Sequence, residues 1–270
     1  MQQVLHQLLT VKPINDVKLT LHTTFNISKG KYNIEIRGCI VCLNGIMIFV
    51  DRSNNTLVIL NEDGTLDKVI TCSLNKPLDV TCLDDTTVAV STYNGIEIIN
   101  INSTEIERRI KTSQPCYGIT HHNGVLLWSV YQKGIQMMKL SDGRVTTLVK
   151  QRNSPFNSHI TICGDKIYQT NYDTSSVTCY AMKGEQLWVY KDVSVLDDSF
   201  GVTFDNNYIV YVTSYSSDNV VVLEPDGRQG RQLISRGDGL IYPTGIYFDN
   251  SKNSLLVVNI YGPTLLYEMR

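Results

Sequence analysis

Long hydrophobic runs are missing from this sequence. No stretch approaches the roughly 20 apolar residues that a membrane-crossing helix needs, so a helical membrane span is not expected. An excess of positive charge is missing too. Lys and Arg total 24 against 26 Asp and Glu, a net charge of -2. No overall field therefore draws the chain to nucleic acid or to an anionic lipid surface. The first sixteen residues, MQQVLHQLLTVKPIND, have no basic start, and their short apolar patch is broken by His6 and Gln7, which is not the pattern of a secretory signal. An even set of cysteines is also lacking. Seven cysteines in a chain long enough to bury its own core read as reduced thiols, not as a disulfide framework, and point to the cytoplasm. Histidine is scarce, at five residues, which leaves little for a three-histidine catalytic metal site.

Repetition is what the chain has in quantity. FGVTFDN around Gly201 returns as TGIYFDN around Gly245, and the same frame can be laid on Cys39, Asp79, Gly118 and His159. These six anchors are separated by about 40 residues each, the spacing of one supersecondary unit in a repeat architecture. The residue after each anchor is Ile40, Val80, Ile119, Ile160, Val202 or Ile246, β-branched in every frame. Two further on stand Cys42, Cys82, His121, Ile162, Phe204 and Phe248. Residues two apart share one face of a strand, so these positions extend a buried stripe.

Each frame continues through an Asn-, Asp- or Gly-bearing turn into a second apolar strand (IMIFV, TVAVS, VLLWS, KIYQT, YIVYVT, LLVVN), then a third and a fourth. The sixth frame ends at Arg270 without its fourth strand, whereas VKLTLHTTFNIS, residues 17–28, alternates like a strand and precedes the first frame. The spacing therefore predicts an all-β fold: a six-bladed β-propeller of four-stranded blades, closed by an N-terminal strand that completes the last blade. Residues 17–270 form this single unit. Residues 1–16 are an extension, either disordered or the stub of a coiled coil.

YPTGIYFDNSKNSLLVVN and SFGVTFDNNYIVYVTS resemble NHL repeats, and the resemblance extends from about residue 17 to residue 270. More narrowly, CIVCLNGIMIFVDRSNNTLVILNEDG with DVTCLDDTTVAVSTYNGIEIINI resembles the C-terminal propeller of invertebrate, especially bivalve mollusc, tripartite-motif (TRIM) proteins. In that family a RING finger, B-boxes and a coiled coil precede the propeller. The RING recruits a ubiquitin-conjugating enzyme and the propeller selects the target. The resemblance thus implies a place in the ubiquitin pathway and the recognition of a protein or peptide, with no RING in this chain. Some relatives bind RNA on one propeller face, which is the alternative. A propeller hydrolase or lyase is the more distant one.

Catalytic or metal chemistry finds little support among the residues. Cys39 and Cys42 form a CxxC, but a structural zinc site needs four ligands and there is no second pair. Residues three apart on a strand also face opposite ways, so these thiols read as core. His121 and His122 alternate along one strand and read as packing or solvent-facing groups. Asp79 and His159, both anchors, would stand close at the channel mouth without making a calcium cage or a nucleophile. No enzyme activity, cofactor or metal is expected.

The binding face follows from blade connectivity. Segments entering the first strand and loops joining the second to the third emerge on one side. Those loops carry Tyr93, Tyr131, Tyr172, Tyr215 and Tyr261, with Arg52 in the blade that lacks a tyrosine. Tyr117, Phe156, Phe200 and Tyr242 lie in the entering segments. Tyrosine and arginine supply large contact area with a hydrogen bond, the chemistry of protein interfaces. RNA would need a dense basic patch, whereas Lys29, Lys31, Arg37, Lys76, Lys133 and Arg152 alternate with Glu35, Asp173, Asp197 and Asp218 on this side. The expectation is a monomeric, non-membrane chain that docks a protein or peptide on Arg52, Asp79, Tyr93, Tyr131, His159, Tyr172, Tyr215 and Tyr261.

Overall fold

The apolar strands inside each repeat cannot be covered within that repeat, and this drives the blades into a ring. In blade one the second strand, Met47–Asp51, is buried on both faces, whereas the fourth, Leu66–Thr71, is mostly exposed. The same gradient recurs in blade two between Thr87–Thr92 and Ile106–Lys111. Blades stack face to face near the axis and splay at the rim. Middle strands therefore read as continuous apolar runs and outer strands as alternating ones.

The computed structural model describes residues 13–27, 33–152 and 155–270. They form six four-stranded antiparallel sheets. The inner strands, in chain order, are Ile36–Val41, Pro77–Cys82, Cys116–His122, Ile160–Cys163, Ser199–Phe204 and Pro243–Asp249. Blade six contains Pro243–Asp249, Ser254–Asn259 and Thr264–Met269, and its outer strand is the N-terminal Leu19–Phe25. That strand pairs antiparallel with Thr264–Met269, from Leu19 opposite Met269 to Phe25 opposite Thr264. The ring is closed as the repeat count requires. Among the described residues no helix is long and apolar enough to cross a membrane.

The stripe read from the repeats is buried. Ile40, Val80, Ile119, Ile160, Val202 and Ile246 are all at most 8% exposed. The core lies between neighbouring blades: Ile48, Val50, Leu57 and Ile59 of blade one pack with Val88, Val90 and Ile99 of blade two. The glycine anchors have a steric cause. A Cβ on Gly118 would lie 2.5 Å from the Cα of His159, so only glycine lets the inner strands of blades three and four approach this closely. Beside the anchors, the pairing of inner with second strand slips at Ile36/Gly38, Pro77/Asp79, Cys116/Ile119, Ser199/Val202 and Pro243/Ile246. Such slips bend the strand and re-aim side chains, here at the channel mouth.

Two local details differ from the expected pattern. In blade five the left-handed turn residue is Tyr208 (φ 63°), one position after the Asn206–Asn207 pair. The Asp205 carboxylate accepts from the N–H groups of Asn207 and Ile209 and so fixes that turn from one position earlier. The second strand accordingly starts at Val210. At the N-terminus, residues 1–12 and Ser28 lie outside the described residues. The four that follow residue 12 include a 3-10 turn, Ile14–Asp16, whose Ile14 is 3% exposed. Ile14 and Val17 pack with Tyr211, Ile234 and Tyr267, so the packed body takes in Ile14.

Candidate functional site

The connections entering the inner strands and those joining second to third strands share one face, here the upper face, and their aromatic side chains touch one another. Tyr117 is the hub of one group: its ring centroid lies 6.4 Å from Tyr93, 6.3 Å from Tyr131 and 5.4 Å from Phe156, all edge-on. Phe200 is the hub of the second, 4.6 Å from His159 and 6.3 Å from both Tyr172 and Tyr215. Tyr215 continues to Tyr242 at 5.0 Å. These separations, and the edge-on angles around Tyr117, are the favoured geometry of aromatic pairs. An aromatic belt in two groups thus lines this face, one over blades two to four and one over blades four to six.

Burial divides the belt. Tyr117 and Phe200 are buried. Tyr93, Tyr131, Tyr172 and Tyr215 are half-buried, and Phe156, Tyr242 and Tyr261 are exposed. Tyr261, on the second-to-third connection of blade six, is 64% exposed. Burial, then the neighbouring Asp198 carboxylate, pushes the Tyr172 phenol up to about 12, and burial raises Tyr215 in the same direction. The hydroxyls are neutral donors at physiological pH, suited to hydrogen bonding with a partner's carbonyls.

Blade one fills its tyrosine-free sector with charge. Glu35 Oε1 accepts from Arg37 and from Arg52 Nη1, the latter at 2.6 Å. Burial would raise the Glu35 carboxyl, but the two guanidinium groups outweigh it and hold the carboxyl below its ordinary range. Arg52 lies 5.7 Å above the Tyr93 ring, beside Lys76 at 5.2 Å. Arg37 reaches two blades round the ring and lies 5.4 Å above the Phe200 ring of blade five. Both arginines therefore sit on aromatic faces, the cation–π arrangement. Sequence reasoning placed Arg37 and Glu35 on this face only as mixed charges and missed this cluster. The signal was present: in Glu-Ile-Arg the charged residues are two apart and so share one side of the strand.

At the axis Asp79 of blade two and His159 of blade four come together, with Oδ2 3.4 Å from Nδ1. Asp79 Oδ2 also accepts from the Ile119 N–H at 3.0 Å, which ties the carboxylate to blade three. Both residues are nearly buried and line the channel, a cavity of about 120 Å³ whose walls include Cys39, Gly201 and Gly245. Burial, then the Asp79 carboxylate, raises the Cys39 thiol, which is the wrong direction for a nucleophilic thiolate.

The face therefore gathers all eight of the expected residues, and the channel mouth unites two of them. Lys29 and Lys31, expected on the same side, lie outside the described residues. On this face Arg37 and Arg52 are engaged with Glu35, and Arg236 with Asp218 at 2.8 Å. On the opposite, lower face, the His121 ring is half-buried. Its Nδ1–H donates to the Cys82 carbonyl, and its Nε2 accepts from the Gly124 N–H, each at 3.1 Å. His122 is exposed and bonds Asn123 at 2.9 Å. Cys42 does not share a site with Cys39. It touches Cys82 of the next blade.

The sequence matches no protein-family model and no curated relative. Solved structures similar to this one are numerous. One is a structural-genomics protein of unknown function from Bacteroides thetaiotaomicron. Its TM-score is 0.76 at 12% identity, covering 94% of this chain and 76% of that one. A chain of the nidogen/laminin complex gives 0.69 at 16% identity, with 86% and 97% coverage. The β-propeller domain of Cps50 (Swd1) from Myceliophteria thermophila gives 0.67 at 8% identity, with 93% and 99% coverage. At such identities the likeness establishes a shared fold, and function has to be argued from the site.

Proposed function

We propose that the upper face is a recognition surface for a protein or peptide segment, and that the chain serves as a target-selecting propeller of the NHL type found in TRIM ubiquitin ligases. The observation that carries this reading is the aromatic belt. Aromatic side chains from five blades form two groups of ring contacts, with exposed members at Phe156 and Tyr242, and Tyr261 stands exposed on the same face. Rigid rings on a rigid scaffold give contact area at low entropic cost, and the arginine pair in the tyrosine-free sector adds directional hydrogen bonding. One structurally similar chain comes from a complex of nidogen with laminin, in keeping with protein binding on this architecture. The reading is of binding, not catalysis: a raised Cys39 thiol beside Asp79 and His159 supplies no activated nucleophile.

The test is selection from a displayed random-peptide library on the folded chain, followed by affinity measurement on the paired variant Tyr242→Ala/Tyr261→Ala. Support is a selected peptide that binds the parent and loses at least about tenfold in affinity, roughly 1.4 kcal/mol, on the variant. Selected peptides that bind both equally would place recognition elsewhere. A mixed RNA pool, titrated with salt, tests the competing ligand. Binding with a steep salt slope would favour RNA instead.

A further inference from the structure

We propose that Cys42 and Cys82 are an oxidation site: a thiol pair that a low-molecular-weight disulfide converts to a cystine joining blade one to blade two. The two sulfurs lie 2.6 Å apart. The sulfurs are therefore in direct contact across the seam between the two blades, and a disulfide bond of about 2.05 Å needs only a small further approach. Among the described residues no third His, Cys, Asp or Glu joins the pair to hold a metal.

The repeat explains how two residues so far apart in sequence meet. Both occupy the third position after their anchors, Cys39 and Asp79, on the inner strands of consecutive blades, where the ring brings neighbouring strands together at the lower end of the channel. Both backbones are fixed before any bond forms. The Cys42 N–H donates to Ile46 O at 2.9 Å, and the Cys42 carbonyl accepts from Gly45 N at 2.8 Å. Cys82 pairs with Val88 across the blade, and its carbonyl accepts from the His121 ring. Fixed main chains leave little rearrangement for the sulfurs to make, and a pre-organised pair closes faster than it exchanges with solvent thiols. Cys82 is partly exposed and Cys42 is buried, which gives an order of events. The Cys82 sulfur, having lost its proton, attacks glutathione disulfide, forms a mixed disulfide and releases one glutathione thiol. The Cys42 sulfur, likewise deprotonated, then attacks the Cys82 sulfur and releases the second. Protein and oxidant exchange two electrons, and the two protons end on the glutathione thiols.

The Cys82 thiol is held protonated by its contact with Cys42, then by burial and by the Asp84 and Asp85 carboxylates. The first exchange therefore needs excess disulfide at mildly alkaline pH. The experiment treats the full, folded chain with glutathione disulfide, blocks remaining thiols by alkylation, and maps the linked peptides by mass spectrometry. The expected result is loss of two hydrogens and one linked pair containing Cys42 and Cys82, with Cys39, Cys72, Cys116, Cys163 and Cys179 not linked. Melting should rise by on the order of 10 °C and fall back when dithiothreitol is added, because the bond closes a loop of roughly 40 residues. Cys42→Ser and Cys82→Ser should each abolish both effects, and Cys163→Ser should abolish neither. Mapping on the parent chain needs no variant to fold. Cys42 and Cys82 recovered as free thiols, a glutathione adduct left unresolved on Cys82, or a bond to another cysteine would each overturn the proposal.

Discussion

Arg231, in the outer strand of blade five, holds Ile14, at the entry to the strand that closes the ring. Its Nη2 donates to the carbonyls of Ile14 and Val17 at 2.6 and 2.7 Å, and its Nε to Ile14 at 3.1 Å. The Leu19–Phe25 strand is thus anchored before its first ladder bond, and Ile14 and Val17 are buried beside it. Charge-assisted bonds to backbone carbonyls are worth more than neutral ones. Arg231→Ala should therefore lower unfolding stability by about 2–4 kcal/mol. Arg228→Ala, at a side chain 83% exposed, should stay within about 0.5 kcal/mol. A chain shortened to begin at Ile27 should lose the ring closure, open the edge at Thr264–Met269 and aggregate or unfold without cooperativity. Urea unfolding of the three proteins checks this, and equal effects at Arg228 and Arg231 would refute the anchoring role.

The aromatic belt should separate into frame and contact. Tyr117 and Phe200, at 2% and 1% exposure, hold the two aromatic groups together. Their replacement by Ala should cost about 3–5 kcal/mol, as for other buried rings. Ala at Tyr242 or Tyr261 should cost less than about 1 kcal/mol, because both residues are exposed, at 43% and 64%. Thermal melting of the four single variants reads this out directly. A tolerant Phe200 would mean that the belt is not braced through its hub.

What the sequence showed and what it hid divide along a physical line. A 40-residue period carries everything that happens inside one blade: strand order, the buried Ile119 and Ile160, the side on which Tyr172 and Tyr215 emerge. Counting frames also gave the closure, because a missing fourth strand and an unassigned first strand complement each other. Contacts between blades depend on the rotation from one blade to the next, which the period does not contain. Arg37 meeting Phe200 and Arg231 meeting Ile14 both belong to that class. Asp79 and His159 are the exception, since two polar anchors on a narrow channel have few other places to be.

The strand frame itself is testable in the core. Ile119, Ile160 and Ile246 are 3%, 4% and 6% exposed. Each truncated to Ala should cost about 2–5 kcal/mol. Thr at the exposed turn residues Lys183 or Asp226 should change stability by no more than about 0.5 kcal/mol. Similar losses at core and turn positions in chemical denaturation would contradict the placement of the inner strands.

His121 should make stability fall in acid. Burial disfavours its cation and His122 adds to this, against the smaller opposing pulls of the Cys82 carbonyl and Asp84, so its folded pKa lies below the usual 6.5. The neutral ring also uses both nitrogens, donating from Nδ1 and accepting at Nε2 from the Gly124 N–H, so a second proton has no acceptor there. The unfolded chain consequently takes up the proton first as pH drops. The stability contribution is complete above pH 6.5 and is lost as pH falls below that value toward the lower folded pKa. Urea midpoints at about pH 7.5 and about pH 5.5 should show a larger drop for the parent than for His121→Gln, whose amide can keep one of the two bonds but takes up no proton. Equal drops in the two proteins would assign the acid sensitivity to other groups and leave the His121 ring free to accept its proton in the folded state.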